Sequence, residues 1–285
     1  LYFFKFFNFN NELYILVILF SQIILSSFAV VIFYNINKLF FSNKISILGA
    51  LIFSLFPLHI YACVQISSVT LHLFLLVLFL YLFFKVSKNV NFTNVCFLSL
   101  VSGLLILLRG EFIALFVLSV LYLAFFLKIN LKNILVLILF TLIIISPYLT
   151  RNIILVNEIT ITKSIGFNLW KGNNDQADVQ GSNYIYDLSS NTDIEIDQKD
   201  LNLIDQINKV PKDKYYEINI DKVFLDQGLK NIINEPTKYI SLYLKKILSF
   251  IFIDINSTYP NYYHPLNYLP NLLFGITSII GIVLS

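Results

Sequence analysis

Three stretches of the chain hold residues whose types and spacing could do chemistry. Arg109-Gly110-Glu111 sets a guanidinium two residues from a carboxylate, between two apolar runs. An arginine fork matches phosphate oxygens bidentately, so this stretch could face a phosphate at a membrane surface. A plainer reading is a connecting turn with a solvated ion pair. Pro147-Tyr148-Leu149-Thr150-Arg151-Asn152 closes another apolar run with a second arginine, which a helix stop at the interface also explains. Gly166-Phe167-Asn168-Leu169-Trp170-Lys171-Gly172-Asn173-Asn174 holds the only Trp, two glycines and three asparagines in nine residues. Trp170 could stack on a sugar face, and the Asn173 and Asn174 amides both donate to and accept from hydroxyls. An interfacial loop with an aromatic anchor would use the same residues. His59, His72 and His264 stand apart, and Cys63 and Cys96 have no metal-ligand spacing. No P-loop, HExxH or GxSxG pattern occurs. No cofactor is evident from these residues, and they leave dependence on a divalent metal open.

The elements that must position these residues are apolar. Of the 285 residues, 57% are hydrophobic and 13% charged, against about a quarter charged in a soluble domain. The mean hydropathy of +0.76 excludes a water-facing sphere. The net charge of +3 points to no nucleic-acid partner. Six spans are predicted: Leu13–Tyr34, Ile45–Cys63 bent or ended near Pro57, Val69–Phe84, Val95–Leu108, Phe112–Leu127 and Ile134–Leu149. The first residues, Leu1 to Phe4, read as membrane or interface sequence. Methionine is absent and the last apolar run, Leu272 to Leu284, is short, so both ends are expected to be cut from a longer protein.

The connections carry an alternating charge pattern. Lys38 and Lys44, then Lys85 and Lys88, then Lys128 and Lys132 fill alternate connections with no acid among them. Between them, Gln65 to Ser68 is uncharged, and Arg109 cancels Glu111. The positive-inside rule assigns the lysine connections to the cytoplasm. The Gln65–His72 connection, Arg109–Glu111 and the chain after Leu149 then lie outside. In a bacterium this is an inner-membrane protein with its polar part in the periplasm.

Residues 151–236 are expected to form an extracytoplasmic α+β domain. Fourteen of the 17 acids lie between Glu158 and Glu235. Ile159-Thr160-Ile161-Thr162 alternates as a strand does. Asn173 to Ser190 reads as loop, and Lys214 to Asn234 as a helix ending before Pro236. Residues 237–267 are read as an interfacial helix, Thr237 to Ile253, and an outer loop. Lys245 and Lys246 in mid-helix would cost roughly 5–7 kcal/mol at a bilayer centre. A further, truncated span starts at Tyr268.

The Pro-aromatic-x-x-Arg-Asn end at Pro147, Tyr148, Arg151 and Asn152, followed by Gly166, Asn168, Leu169, Trp170, Gly172, Asn173 and Asn174, resembles bacterial GT-C glycosyltransferases of the family 39 group. These are relatives of the protein O-mannosyltransferases. Phe56-Pro57 with Gln65–His72, Gly103 to Arg109 with Glu111, and Glu235-Pro236 to Lys245 are similar more weakly. The glutamate that members often carry near Ser68 or Val69 is missing. The resemblance covers roughly residues 13–252. It implies a polytopic, mainly α, GT-C-like membrane enzyme. Such an enzyme moves a sugar from a polyprenyl-phosphate donor to a lipid, glycan or protein acceptor on the outer face. It also implies a catalytic carboxylate in the first outer loop, expected upstream of Leu1, because Asn10-Asn11-Glu12-Leu13 does not match that motif. Arg109, Glu111, Arg151, Asn152, Trp170, Asn173 and Asn174 are the candidate phosphate- and substrate-binding residues. A flippase for lipid-linked sugars and a polysaccharide polymerase or ligase stay open as alternatives.

Overall fold

The computed structural model describes residues 11–162, 164–182, 198–254, 257 and 262–284. The expected membrane or interface run Leu1 to Phe4, residues 183–190 of the expected Asn173–Ser190 loop, and residues 255–256 and 258–261 of the expected outer loop lie outside the described residues. The chain divides into two compact units, Leu1–Ile161 and Thr162–Ser285.

Among its described residues, the first unit is built of helices and irregular connections. α1 (Asn11–Asn37) is followed by α2 (Asn43–Ser54) and α3 (Pro57–Cys63). α4 (Val69–Lys88), α5 (Phe92–Leu108), α6 (Phe112–Leu121, continued by a π turn at Tyr122–Phe126) and α7 (Leu131–Val156) complete it. α1, α4 and α7 are each long and apolar enough to cross a membrane, and α2 with α3 makes a fourth such span if the pair is counted as one. That pair bends by 54° where Pro57 lacks the N–H that a continuous helix needs. The fourth and fifth expected spans are helices, but Phe92–Leu108 and Phe112–Phe126 are shorter than a full crossing. Large apolar side chains such as Leu16, Phe20, Phe28, Leu118 and Phe140 face outward. Such faces suit a membrane protein, because lipid rather than water covers them.

Periodicity decides what packs. Leu75, Phe79, Leu82 and Val86 recur every three to four residues on α4 and meet Val95, Leu98, Val101 and Leu105 of α5. Apolar contact adds little inside lipid, so close approach depends on small residues. Ser99 and Gly103 of α5 supply it: a methyl on Gly103 would lie 2.6 Å from the Ile144 side chain of α7. The Thr141 hydroxyl of α7 donates to the Ser99 carbonyl at 3.3 Å. Residues 99 and 103 thus meet 141 and 144, so α5 and α7 run parallel with an offset of about 42 residues. The first two lysine connections also touch, since Lys88 Nζ donates to the Leu39 carbonyl at 2.7 Å and sits over the Phe40 ring.

The Pro147–Asn152 stretch does not close the sixth span at Leu149. α7 runs through it to Val156 and stops at Asn157, whose φ of 56° is left-handed. The missing Pro147 N–H strands the Ile143 carbonyl, and the Ser146 hydroxyl donates to that carbonyl at 2.9 Å. A neighbouring hydroxyl therefore stands in for the lost backbone donor.

The second unit contains α8 (Ile165–Gly172), α9 (Gln198–Asn208), α10 (Tyr216–Asn234), α11 (Pro236–Ile251) and α12 (Pro265–Leu284). The expected α+β character is not found, because the described residues contain no strand. Ile159 to Thr162 is irregular instead. Alternation expresses a preference for a pleated, half-buried surface, and this four-residue segment has no partner strand among the described residues to make one. The Gly166–Asn174 stretch, expected as a loop, is helical from Ile165 to Gly172. α10 and α11 follow the expected limits closely, with Pro236 in the first turn of α11. Trp170, Leu203 and Phe224, from α8, α9 and α10, form the core of this unit.

Candidate functional site

In the first unit, the ends of α5 and α7 carry the two arginines. Arg109 is ten residues beyond Ser99, and Arg151 is ten beyond Thr141. Because Thr141 meets Ser99 on parallel helices, both arginines belong to one level at one end of the pair. Arg109 Nη1 lies 3.1 Å from Glu111 Oε1, with both side chains well exposed. An exposed pair of this kind contributes about 0–1 kcal/mol, so an incoming phosphate can displace Glu111. Arg151 is exposed and lies over the Tyr148 ring, with its Nη1 donating to Asn152 Oδ1 at 3.3 Å. Asn152 is 3% exposed and donates to the Thr160 carbonyl at 2.6 Å. Its part is to tie α7 to the chain that follows, which leaves little of it for a ligand.

The uncharged connection before α4 lies at the same end, since the His72 ring meets Phe112 edge-on at 4.9 Å. Gln22 of α1 holds this connection. Its Nε2 donates to the Gln65 and Ser67 carbonyls at 3.0 and 3.1 Å. Irregular backbone in an apolar setting needs such donors. Gln22→Leu is expected to lower stability by about 2 kcal/mol, from two carbonyls left without a donor. Chemical denaturation in detergent micelles measures it, with exposed Ser27→Ala as the near-neutral reference.

The remaining candidates fall in the second unit, where they serve the fold. Trp170 is 1% exposed, with its ring 4.9 Å from Phe224 and 6.1 Å from Phe167. No face of the indole is left for a sugar. Asn173 is 3% exposed and its Nδ2 donates to the Leu169 carbonyl at 2.8 Å, capping the end of α8. The Asn173 carbonyl in turn accepts from Asn231 Nδ2 at 2.9 Å. Asn174 is fully buried; its Nδ2 donates to the Ser182 carbonyl at 2.8 Å, and its Oδ1 accepts from the Gln176 N–H at 3.0 Å. The two asparagines close a turn; the Asn174 amide is spent on backbone, whereas the buried Asn173 Oδ1 has no hydrogen-bond partner.

Several partners in this unit carry no local sequence signal. The Asp221 carboxylate of α10 accepts from the Gly166 and Phe167 N–H groups at 2.9 and 2.8 Å. It caps α8 from another helix, where positive dipole and unpaired N–H groups favour an anion. Lys246 Nζ donates to the Gly172 carbonyl at 2.7 Å, and burial pushes its pKa down, partly opposed by Asp178. Lys238 is raised instead, chiefly by its hydrogen bond to Asp175 at 2.9 Å. Among the described residues no group of three or more His, Cys, Asp or Glu side chains could hold a metal.

Compared with known proteins, the chain matches no protein-family model, no curated protein and no solved structure.

Proposed function

We propose that the chain is part of a membrane glycosyltransferase that moves a sugar from a polyprenyl-phosphate donor to a lipid, glycan or protein acceptor on the outer membrane face. The supporting observation is the shared level of Arg109 and Arg151 at one end of the parallel α5–α7 pair. That end is opposite the lysine-bearing connections, and so outside by the positive-inside rule. In an inverting displacement, an acceptor oxygen attacks the anomeric carbon as its proton passes to a base. The bond to the carrier phosphate breaks, and that phosphate gains negative charge. Two guanidinium groups at lipid-headgroup depth would stabilise that charge as it develops. Glu111 holds Arg109 in place until the donor phosphate replaces it.

The test uses membranes carrying the whole reading frame and a radiolabelled polyprenyl-phosphate sugar. Arg109→Ala and Arg151→Ala are each expected to slow transfer by about 10²-fold, the usual loss for one donor to a developing anion. Arg109→Lys keeps the charge but not the fork, and is expected to fall between. Transfer at the wild-type rate in both alanine variants would remove the phosphate role and the reading with it.

A further inference from the structure

We propose that a half-open cavity in the first unit, lined by Ser26, His59, Cys63, Thr70, His72 and Leu76, binds a small uncharged molecule bearing a hydroxyl group, drawn from the membrane phase. The inference stands apart from the transferase reading and uses neither arginine.

The cavity measures about 170 Å³, which is room for one six-membered ring with a substituent. Its apolar wall includes Leu73, Leu76 and Val69, so an organic ring is covered on leaving lipid or water. No Lys, Arg, Asp or Glu lines it. A charged ligand would therefore lose its hydration without gaining a counter-ion.

The polar lining includes one hydroxyl with no partner. Thr70 is 2% exposed, yet its hydroxyl has no hydrogen-bond partner. Such a buried orphan is uncommon in a folded protein and calls for a partner. Helical serines and threonines usually donate to the carbonyl one turn back, as Ser21 and Ser27 do; Thr70 does not. The His59 ring is held by Phe53 and Phe56, with centroids 4.6 and 4.9 Å away. Its Nδ1 lies 3.3 Å from the Phe53 carbonyl, and in the neutral tautomer that donates there Nε2 is an acceptor. A ligand hydroxyl can donate to Nε2 or to the Thr70 oxygen, and accept from the Thr70 O–H. A hydrocarbon of the same size satisfies none of these groups. That chemistry selects an alcohol over its hydrocarbon analogue.

The experiment uses the full chain in lipid nanodiscs, with Cys96→Ser leaving Cys63 as the reporter thiol of the cavity. Benzyl alcohol is the probe and toluene its hydrocarbon control. At about twice its dissociation constant, benzyl alcohol is expected to slow alkylation of Cys63 by N-ethylmaleimide about threefold. Toluene at equal membrane concentration has a smaller effect. Thr70→Val fits the same space, removes an unpartnered group and should fold; in it the advantage of the alcohol disappears, while Thr70→Ser keeps it. Equal protection by toluene, an unchanged advantage in Thr70→Val, or no protection at all would each overturn the proposal. If Cys63 proves inert to the reagent, the shift in unfolding midpoint with benzyl alcohol over toluene is compared in wild type and Thr70→Val. No difference between the two proteins overturns it equally.

Discussion

Gly166→Ala is expected to open the second unit, with a loss of about 3 kcal/mol, the upper range for overpacking a closed contact. The added methyl would lie 1.9 Å from the Asp221 carbonyl oxygen and 2.8 Å from the Leu225 nitrogen. Both are backbone atoms of α10 and cannot rotate aside. α8 must lift off α10 to make room. Lifting breaks two further contacts: the Asp221 carboxylate leaves the Gly166 and Phe167 N–H groups, and the Trp170 backbone leaves Gly228, where an added methyl would lie 3.1 Å from it. The single Trp is the built-in reporter. Its emission should shift to longer wavelength and its quenching by iodide should rise as the indole meets water. Gly172→Ala is the control, because its methyl would meet only the flexible end of Lys246 at 3.2 Å. Native emission and an unchanged denaturation midpoint in Gly166→Ala would mean that α8 and α10 do not pack as described.

Trp170→Ala is expected to cost about 3–5 kcal/mol, the range for deleting a buried aromatic side chain. The indole is shared by α8, α9 and α10 through Phe167, Leu203 and Phe224. Its loss leaves a cavity that rigid helices fill only partly. Trp170→Phe should recover more than half of the loss by keeping a ring against Phe224. Pulse proteolysis in urea measures both, since the fluorescent reporter is gone. A Trp170→Ala chain as resistant as wild type would place the indole outside the core and reopen a sugar-stacking role for it.

The limits of legibility are visible in particular residues. The runs 13–34, 45–63 and 69–84 were readable as helices because each must satisfy its own backbone in lipid, and composition alone signals that requirement. Pro57 is legible as a bend or an end, whereas the Pro147–Asn152 stretch, which reads as the close of the span, lies within α7. The difference lies in Ser146, whose hydroxyl reaches the stranded Ile143 carbonyl; residue type does not say which rotamer it takes. α9 (QKDLNLIDQIN) lies in the acid-rich part of the chain, and its Leu203 is buried against Trp170 and Phe224 from other helices. The Gly-Phe-Asn-Leu-Trp-Lys-Gly-Asn-Asn run resembles a ligand loop because its residue types suit sugars. They suit a short capped helix equally well, and the choice rests on Asp221, 55 residues away.

Sequence alone determined the membrane character, the helix limits over most of the first unit and the alternation of lysine connections. These follow from local needs, namely burying backbone polar groups and keeping ammonium groups near water. Tertiary structure decided that α5 and α7 lie parallel with Arg109 level with Arg151, that Trp170 faces inward, and that Thr70 is buried without a partner. Each of these is set by which small residue lets which helix come close. Gly103 against Ile144 and Gly166 against Asp221 are such contacts, and no spacing within a single segment encodes them.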